Sequence, residues 1–216
     1  MEHTKTQYSE TFDSKYGPII VEGPLLPDQL SRYTFDEGLN AFRPPAKQFE
    51  ALQSIAAFEE GRIIIARNQE NIIGYVTYLH PDPLERWSEG NMEDLIELGA
   101  IEVVPKFRGF RVGSRLLQLS MQDEYMENYI IISNEYYWHW DLKGTRLSIW
   151  DYRKVMEKMM AAGGLTPAPT DDPEIISHPA NCLMVRIGEN VPQESVEQFD
   201  HLRFLTRHQY RKARGE

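Results

Sequence analysis

The stretch that most constrains this chain is Leu95 to Val104, a largely apolar, β-branched run that stops at Pro105 and passes through two glycines into an amphipathic segment. Proline has no N–H for a sheet ladder, so Pro105 ends the strand. A helix follows from about Val112, with Val112, Leu116, Leu119 and Met126 roughly on one stripe. Arg108, Gly109, Phe110, Arg111 and Gly113 make the turn between them. Gly109 and Gly113 carry no Cβ, so backbone amides can close around an anion, and the first unpaired amides of the helix point the same way. Arg108, Arg111 and Arg115 crowd positive charge at a helix start, which is unfavourable unless an anion sits there. The turn reads as a polyphosphate site; the plain alternative is a strand, turn and helix with surface arginines.

Composition narrows the class. A chain of 216 residues, 41% hydrophobic and 26% charged, suits one soluble domain with a sizeable core, here spanning 1–216. No apolar run approaches the ~18 to 20 residues that span a bilayer, and Met1-Glu-His-Thr-Lys5 does not resemble a secretory start, so a cytoplasmic protein without a membrane is expected. Cys182 is the only cysteine, which excludes an internal disulfide; it is expected in the core of an apolar helix, with a catalytic thiol as the alternative. A net charge of −10 argues against nucleic acid as the main partner. Arg203 to Arg214 nevertheless holds five Lys or Arg and no acid, so a basic tail over about 203–216 hangs on an acidic body. That tail is either a solvated terminus or a clamp for an acidic partner or for a phosphate. No cluster with zinc spacing occurs, and no metal is expected.

Local signals outline a mixed α/β unit. Residues 7 to 22 predict a hairpin turning at Ser14 to Gly17. Pro44-Pro45 opens a helix to about Phe58 with Phe49, Leu52, Ile55 and Ala56 inward, and strands Arg62 to Arg67 and Ile72 to Leu79 flank a tight connection. Tyr129 to Ser133 reads as a strand, Leu147 to Ala162 as a helix stopped by Gly163-Gly164, and Phe199 to Leu205 as the last strand.

Arg108 to Gly113, with Val103 and Pro105 before it and Leu116-Leu117 after it, resembles the signature of the GCN5-related N-acetyltransferase (GNAT) superfamily, except that Arg111 stands at the central glycine. Four further segments, Phe42 to Pro45, Pro81 to Leu95, Glu135 to Gly144 and His178 to Leu183, are similar to the acetoin-utilization acetyltransferases of spore-forming bacteria. The resemblance implies a mixed, mostly antiparallel central sheet flanked by helices, with an insertion around 134–176 peculiar to the subfamily. The insertion is inferred because the superfamily's helix after its fifth strand finds its nearest match at Ser177, Ala180, Leu183, Met184 and Gly188. It also implies acetyl-CoA as cosubstrate, bound by Ile101, Val103, Arg108, Gly109, Phe110, Arg111, Val112, Gly113 and Ser114. The implied activity is protein lysine acetylation that switches off acetyl-CoA synthetase, which is the implied substrate and a possible stable partner. A small-molecule N-acetyltransferase and a non-catalytic, acetyl-CoA-dependent binding regulator are the other readings.

Acyl transfer to lysine needs a base. An amine of pKa ~10.4 is mostly protonated at neutral pH, so freeing it costs about 4.6 kcal/mol at pH 7. Glu97 and Glu102 are the candidates, and the superfamily's histone-acetylating branch places its base where Glu97 stands, eleven residues before Arg108. A regular strand puts the two on opposite faces. Many relatives protonate the leaving thiolate with a tyrosine where this chain has Met184, which leaves His139 or Tyr137 of the aromatic run Tyr136 to Trp140 as substitutes. Core packing and protein docking are the other roles open to that run. His178 is expected to cap or pack at a helix start.

Overall fold

A computed structural model describes residues 1–214, which gather into two compact units. The first contains Met1–His80 and Glu97–Met126. It opens with the predicted hairpin, β1 (Tyr8–Ser14) and β2 (Gly17–Gly23), then a short α1 (Pro27–Leu30), β3 (Thr34–Phe35) and α2 (Pro45–Ala56). Next come β4 (Arg62–Asn68), β5 (Asn71–Leu79), β6 (Leu95–Val103) and α3 (Val112–Ser120). The strands lie in the order β1-β2-β4-β5-β6, antiparallel throughout, while β3 pairs parallel with the start of β5. The sheet is therefore mixed and mostly antiparallel.

Helices cover both faces of this sheet because β4 and β5 are apolar on both. The Ile63–Ala66 run is buried, as is Ile72 to Tyr78. A Cβ on Gly74 would touch Val112 of α3, whereas Tyr75 packs on Phe35, which stacks on Phe49 of α2. Neighbouring residues of a strand point to opposite faces, so α3 lies on one side and α2 on the other. Proline opens α2 in its first turn, where no N–H is missed.

The second unit contains Pro81–Ile96 and the chain from Glu127 onward. It holds β7 (Ile130–Glu135), a short α4 (Leu142–Thr145), α5 (Ile149–Met160), β8 (Thr166–Ala168), β9 (Cys182–Ile187), α6 (Gln193–Arg203) and α7 (Leu205–Arg214). Antiparallel β7-β9-β8 form its sheet. Its core gathers Trp87, Leu95, Ile130, Ile132, Leu183, Phe199 and Leu202.

Three expectations fail here. Cys182 lies on strand β9, not on a helix, because Cys182 to Ile187 pairs with all of β7 and satisfies its backbone there. The segment before it, Ile175–Ser177, makes only a 3-10 turn, so Ser177 to Met184 does not form the superfamily helix and Met184 is a buried strand residue. Residues 199–203 are the end of α6 and Leu205 begins α7: Phe199 and Leu202, three apart, both enter the core, a helical spacing.

Candidate active site

Strand β6 positions the two candidate carboxylates, and an irregularity in it changes their relation. Its register against β5 steps from Thr77↔Ala100 to Tyr78↔Leu98, which leaves Gly99 as an extra residue. A Cβ there would lie 3.0 Å from Leu79 Cδ2, so glycine suits the bulge. Glu97 now pairs with Leu79 and Glu102 with Tyr75, and both partners lie on the same face of β5. The two glutamates therefore share one face, the α2 side, contrary to the alternation of a regular strand.

Their surroundings differ. Glu102 is 7% exposed; one oxygen accepts from the Tyr75 hydroxyl at 2.9 Å and the other from the Ala41 amide at 2.8 Å. Burial and this carboxylate push the Tyr75 phenol far above its usual range. Glu102 thus ties the segment before α2 to the sheet. Glu97 is only partly buried. Ile101 faces Val76 and Val103 faces Gly74, on the α3 side. The Val103 carbonyl is not wholly free, because Arg108 Nε donates to it at 3.3 Å.

The turn beyond β6 is built by short hydrogen bonds. Val104 N–H donates to Ile73 at 2.9 Å, Phe107 N–H to Val104 at 2.8 Å and Arg108 N–H to Pro105 at 3.2 Å. Gly109 has φ +90°, and a Cβ on it would meet no atom within 4 Å, so the space in front of it is open. Arg111 has φ 61° and ψ 24°, the left-handed conformation that a glycine adopts without cost. At the signature's glycine position Arg111 thus takes a left-handed conformation that glycine favours. Arg111 is the N-cap of α3 and offers no capping bond; the first turn holds no acid. Val112 and Gly113 are buried, Ser114 and Phe110 partly so, while Arg108 and Arg111 are exposed. An uncapped helix start beside an open glycine, flanked by exposed arginines, suits a pyrophosphate.

Arg115, like Arg108, is engaged within the protein. It pairs with Glu10 at 3.2 Å and lies 4.1 Å over the Phe12 ring. Other cations were not anticipated. Tyr16, at the hairpin tip, packs edge-on against Phe107 and Phe110, and Lys106 and Lys15 lie 4.4 and 4.9 Å over its ring. The tip brings Lys15 to the phosphate turn, where Lys106 already lies, a contact between distant segments that no local motif encodes.

In the second unit the aromatic run divides. Trp140 stacks on Tyr152 and donates to Glu135 at 3.3 Å, while Tyr137 packs on His178, 4.3 Å between ring centres. His178 Nδ1 accepts from the Ala180 amide, so it shapes a turn, not a helix start. Burial raises the Glu135 carboxyl against the Ser133 and Trp140 hydrogen bonds. Trp138 and His139 are exposed. Burial pushes the Cys182 thiol up to about 12, an inert thiol. Among the described residues no group of three or more His, Cys, Asp or Glu is placed to hold a metal, and no helix is long and apolar enough to cross a membrane.

The profile of the Acetyltransferase (GNAT) family matches residues 32–133, which include the bulged strand, the phosphate turn and α3. The chain is 63% identical over 210 residues to the acetoin utilization protein AcuA of Bacillus subtilis, covering 97% of this chain and 100% of that protein. It is 62% identical over 210 residues to AcuA of Bacillus licheniformis, with the same coverage of both. The crystal structure of an acetoin utilization protein from Exiguobacterium sibiricum superposes with a TM-score of 0.93 at 58% identity, over 96% of this chain and 98% of that one. The GNAT domain of S. lividans PAT shares the fold alone, at a TM-score of 0.51 and 15% identity over 82% of this chain and 96% of that one. The chain belongs to the GNAT family and is an acetyl-CoA-dependent N-acetyltransferase.

Proposed function

We propose that this chain is a cytoplasmic protein lysine N-acetyltransferase that moves the acetyl group of acetyl-CoA to a lysine of acetyl-CoA synthetase and so inactivates it. The observation that carries the reading is the likeness to acetoin utilization proteins along 97% of the chain, far beyond the cofactor turn. The acceptor itself comes from the family resemblance in the sequence. Two features that argued for a non-catalytic regulator lose their force. Arg111 takes a left-handed conformation that glycine favours, and Met184 lies on a strand, so its lack of a hydroxyl says nothing about the acid.

In this reading the amides of Val112, Gly113 and Ser114, with Gly109, Phe110 and the guanidinium groups of Arg108 and Arg111, hold the pyrophosphate. The backbone of Ile101 and Val103 binds the pantetheine arm, and one of these amides donates to the oxyanion of the tetrahedral intermediate, a term commonly worth about 3–4 kcal/mol. Glu97 takes the proton of the lysine ammonium, directly or through water. The freed amine attacks the thioester carbon, the C–N bond forms, the C–S bond breaks, the electron pair leaves with the CoA sulfur, and the second N–H proton of the intermediate passes to that sulfur to give the amide and CoA thiol. Glu102, with both oxygens occupied, positions the strand and does not carry the proton.

Purified protein incubated with labelled acetyl-CoA and acetyl-CoA synthetase tests this directly, with Glu97→Gln in parallel. Label on the synthetase, loss of its activity, and a fall of about a hundredfold or more with Glu97→Gln support transfer and base together. Inhibition in proportion to added protein, without label, would replace catalysis by stoichiometric binding.

A further inference from the structure

The second unit exposes a patch that none of the cofactor residues occupies. Tyr136, directly after β7, stacks on Trp138 with ring centres 4.8 Å apart and planes 14° from parallel, and Trp138 is 46% exposed. The Tyr136 hydroxyl donates to the Glu174 carboxylate at 3.4 Å. Burial, then Glu174, Asp172 and Glu85, hold the phenol well above its usual range, so three carboxylates act on one ring. Burial, joined by Asp82, Glu174 and Asp172, likewise raises the Glu85 carboxyl. Asp172 has a cation, Arg86 at 3.1 Å. Glu85 and Glu174 have no Lys or Arg partner among the described residues, and Arg86, next to Glu85 in the chain, is paired with Asp171 and Asp172.

Along the chain these acids adjoin exposed apolar side chains. Leu84, next to Glu85, is 96% exposed, and Ile176, two residues from Glu174, is 62% exposed. A solvated acidic face spreads its carboxylates into water and keeps large apolar side chains inside. This one gathers like charges against an aromatic stack and sets leucine, isoleucine and tryptophan in water, two unfavourable choices that one kind of partner relieves. Lysine and arginine bring an apolar stem for the aliphatic side chains and a cation for the aromatic face and the acids. The net charge of −10 favours approach of such a segment and opposes an acidic one.

We propose that Tyr136, Trp138, Glu85 and Glu174, with the exposed Leu84 and Ile176 that neighbour the acids in the chain, form a docking surface for a lysine- or arginine-bearing segment of the protein acceptor. The inference rests on the reading that the acceptor is a protein, and it makes specificity a matter of residues flanking the acceptor lysine.

The test uses the full chain, with Trp138→Ala, the pair Glu85→Gln and Glu174→Gln, and Trp138→Phe as the conservative control, each shown to melt as the parent does. A dye-labelled lysine- and arginine-rich peptide, read by anisotropy, binds the parent; it binds about tenfold more weakly to the first two variants and nearly normally to Trp138→Phe. A peptide with glutamate at the basic positions does not bind. With acetyl-CoA synthetase as acceptor, KM rises by about the same factor while kcat and acetyl-CoA affinity stay within about twofold. Unchanged peptide binding in the variants, equal binding of the acidic peptide, or a fall in kcat without a rise in KM would overturn the proposal. Failure of the parent to label the synthetase would sink the assigned function, and the peptide arm would still decide the surface.

Discussion

Replacing Glu102 distinguishes a carboxylate that holds the strand from one that moves a proton. Its two oxygens accept from the Tyr75 hydroxyl at 2.9 Å and the Ala41 amide at 2.8 Å, and the side chain is 7% exposed. Glu102→Ala strands both donors. An orphaned buried donor costs about 1–3 kcal/mol, with the Tyr75 hydroxyl in the upper part of that range because it is fully enclosed and the Ala41 amide at the lower end, so the loss should reach about 3–4 kcal/mol. Glu102→Gln keeps the volume: its carbonyl still serves Ala41, its NH2 group donates to a rotated Tyr75 hydroxyl, and about 1 kcal/mol is lost. Urea unfolding of both variants, and of Tyr75→Phe with and without Glu102→Ala, gives these losses and the coupling of the pair. The same Glu102→Gln protein should retain kcat within about threefold, where removal of a general base costs about a hundredfold or more. A loss below about 1 kcal/mol in Glu102→Ala, together with a collapse of kcat in Glu102→Gln, would refute the assignment and make Glu102 the base.

Other perturbations probe the rest of the chain. Arg111→Ala keeps a Cβ in the left-handed conformation and should leave stability unchanged, whereas Arg111→Gly removes about 1 kcal/mol of strain, largely offset by the freer unfolded chain. If the guanidinium reads a phosphate, both variants bind acetyl-CoA about tenfold more weakly by calorimetry, and equal affinity in all three proteins would show that it merely stands in for glycine. Because burial raises the Cys182 thiol from 9.0 to about 12, its contribution is complete below pH 9 and is lost as pH rises toward 12, at about 1.4 kcal/mol per unit. Cys182→Ala should flatten that alkaline slope in pH-dependent unfolding, and a thiol reagent should reach Cys182 only after unfolding. At Asp171 burial opposes ionisation, but the Arg86 guanidinium and the Arg207 and Thr206 amides outweigh it and lower the pKa, so its contribution is present above about pH 4 and lost in more acidic solution. Asp171→Asn should fray α7, exposing Arg207 and Arg211 to trypsin, and an unchanged cleavage rate would show that the helix does not depend on this carboxylate.

Elements whose signals are local were legible in the sequence. The hairpin turning at Lys15 and Tyr16, the proline start of α2, the β4-β5 pair and the strand, turn and helix from Leu95 to Ser120 lie where the residues put them, although the helix stops short of Met126, which sits in a 3-10 turn. Turn chemistry and periodicity act within a few residues, so no distant partner had to be known. The second unit was less readable for the opposite reason. Cys182 to Ile187 is a short apolar run that periodicity alone cannot assign, and its pairing with β7, about fifty residues earlier, makes it a strand. Phe199 and Leu202 did carry a helical spacing, and the strand assigned there passed over it.

The candidate site shows how one local detail propagates into chemistry. Gly99 lies inside a strand pattern, where glycine often marks a bulge. Read as an ordinary strand residue, it sends Glu97 and Glu102 to opposite faces and leaves the choice of base to position along the chain. The bulge puts both on one face, so facing no longer separates them and burial does: Glu102 is 7% exposed with its oxygens on Tyr75 and Ala41, while Glu97 is only partly buried at the far side of the bulge. The residue types at the site could be read from sequence, but the committed lone pairs could not, because Ala41 meets Glu102 across a separation of 61 residues. Assigning a base among strand carboxylates therefore needs the register first and burial second, and the signature that locates the phosphate turn supplies neither.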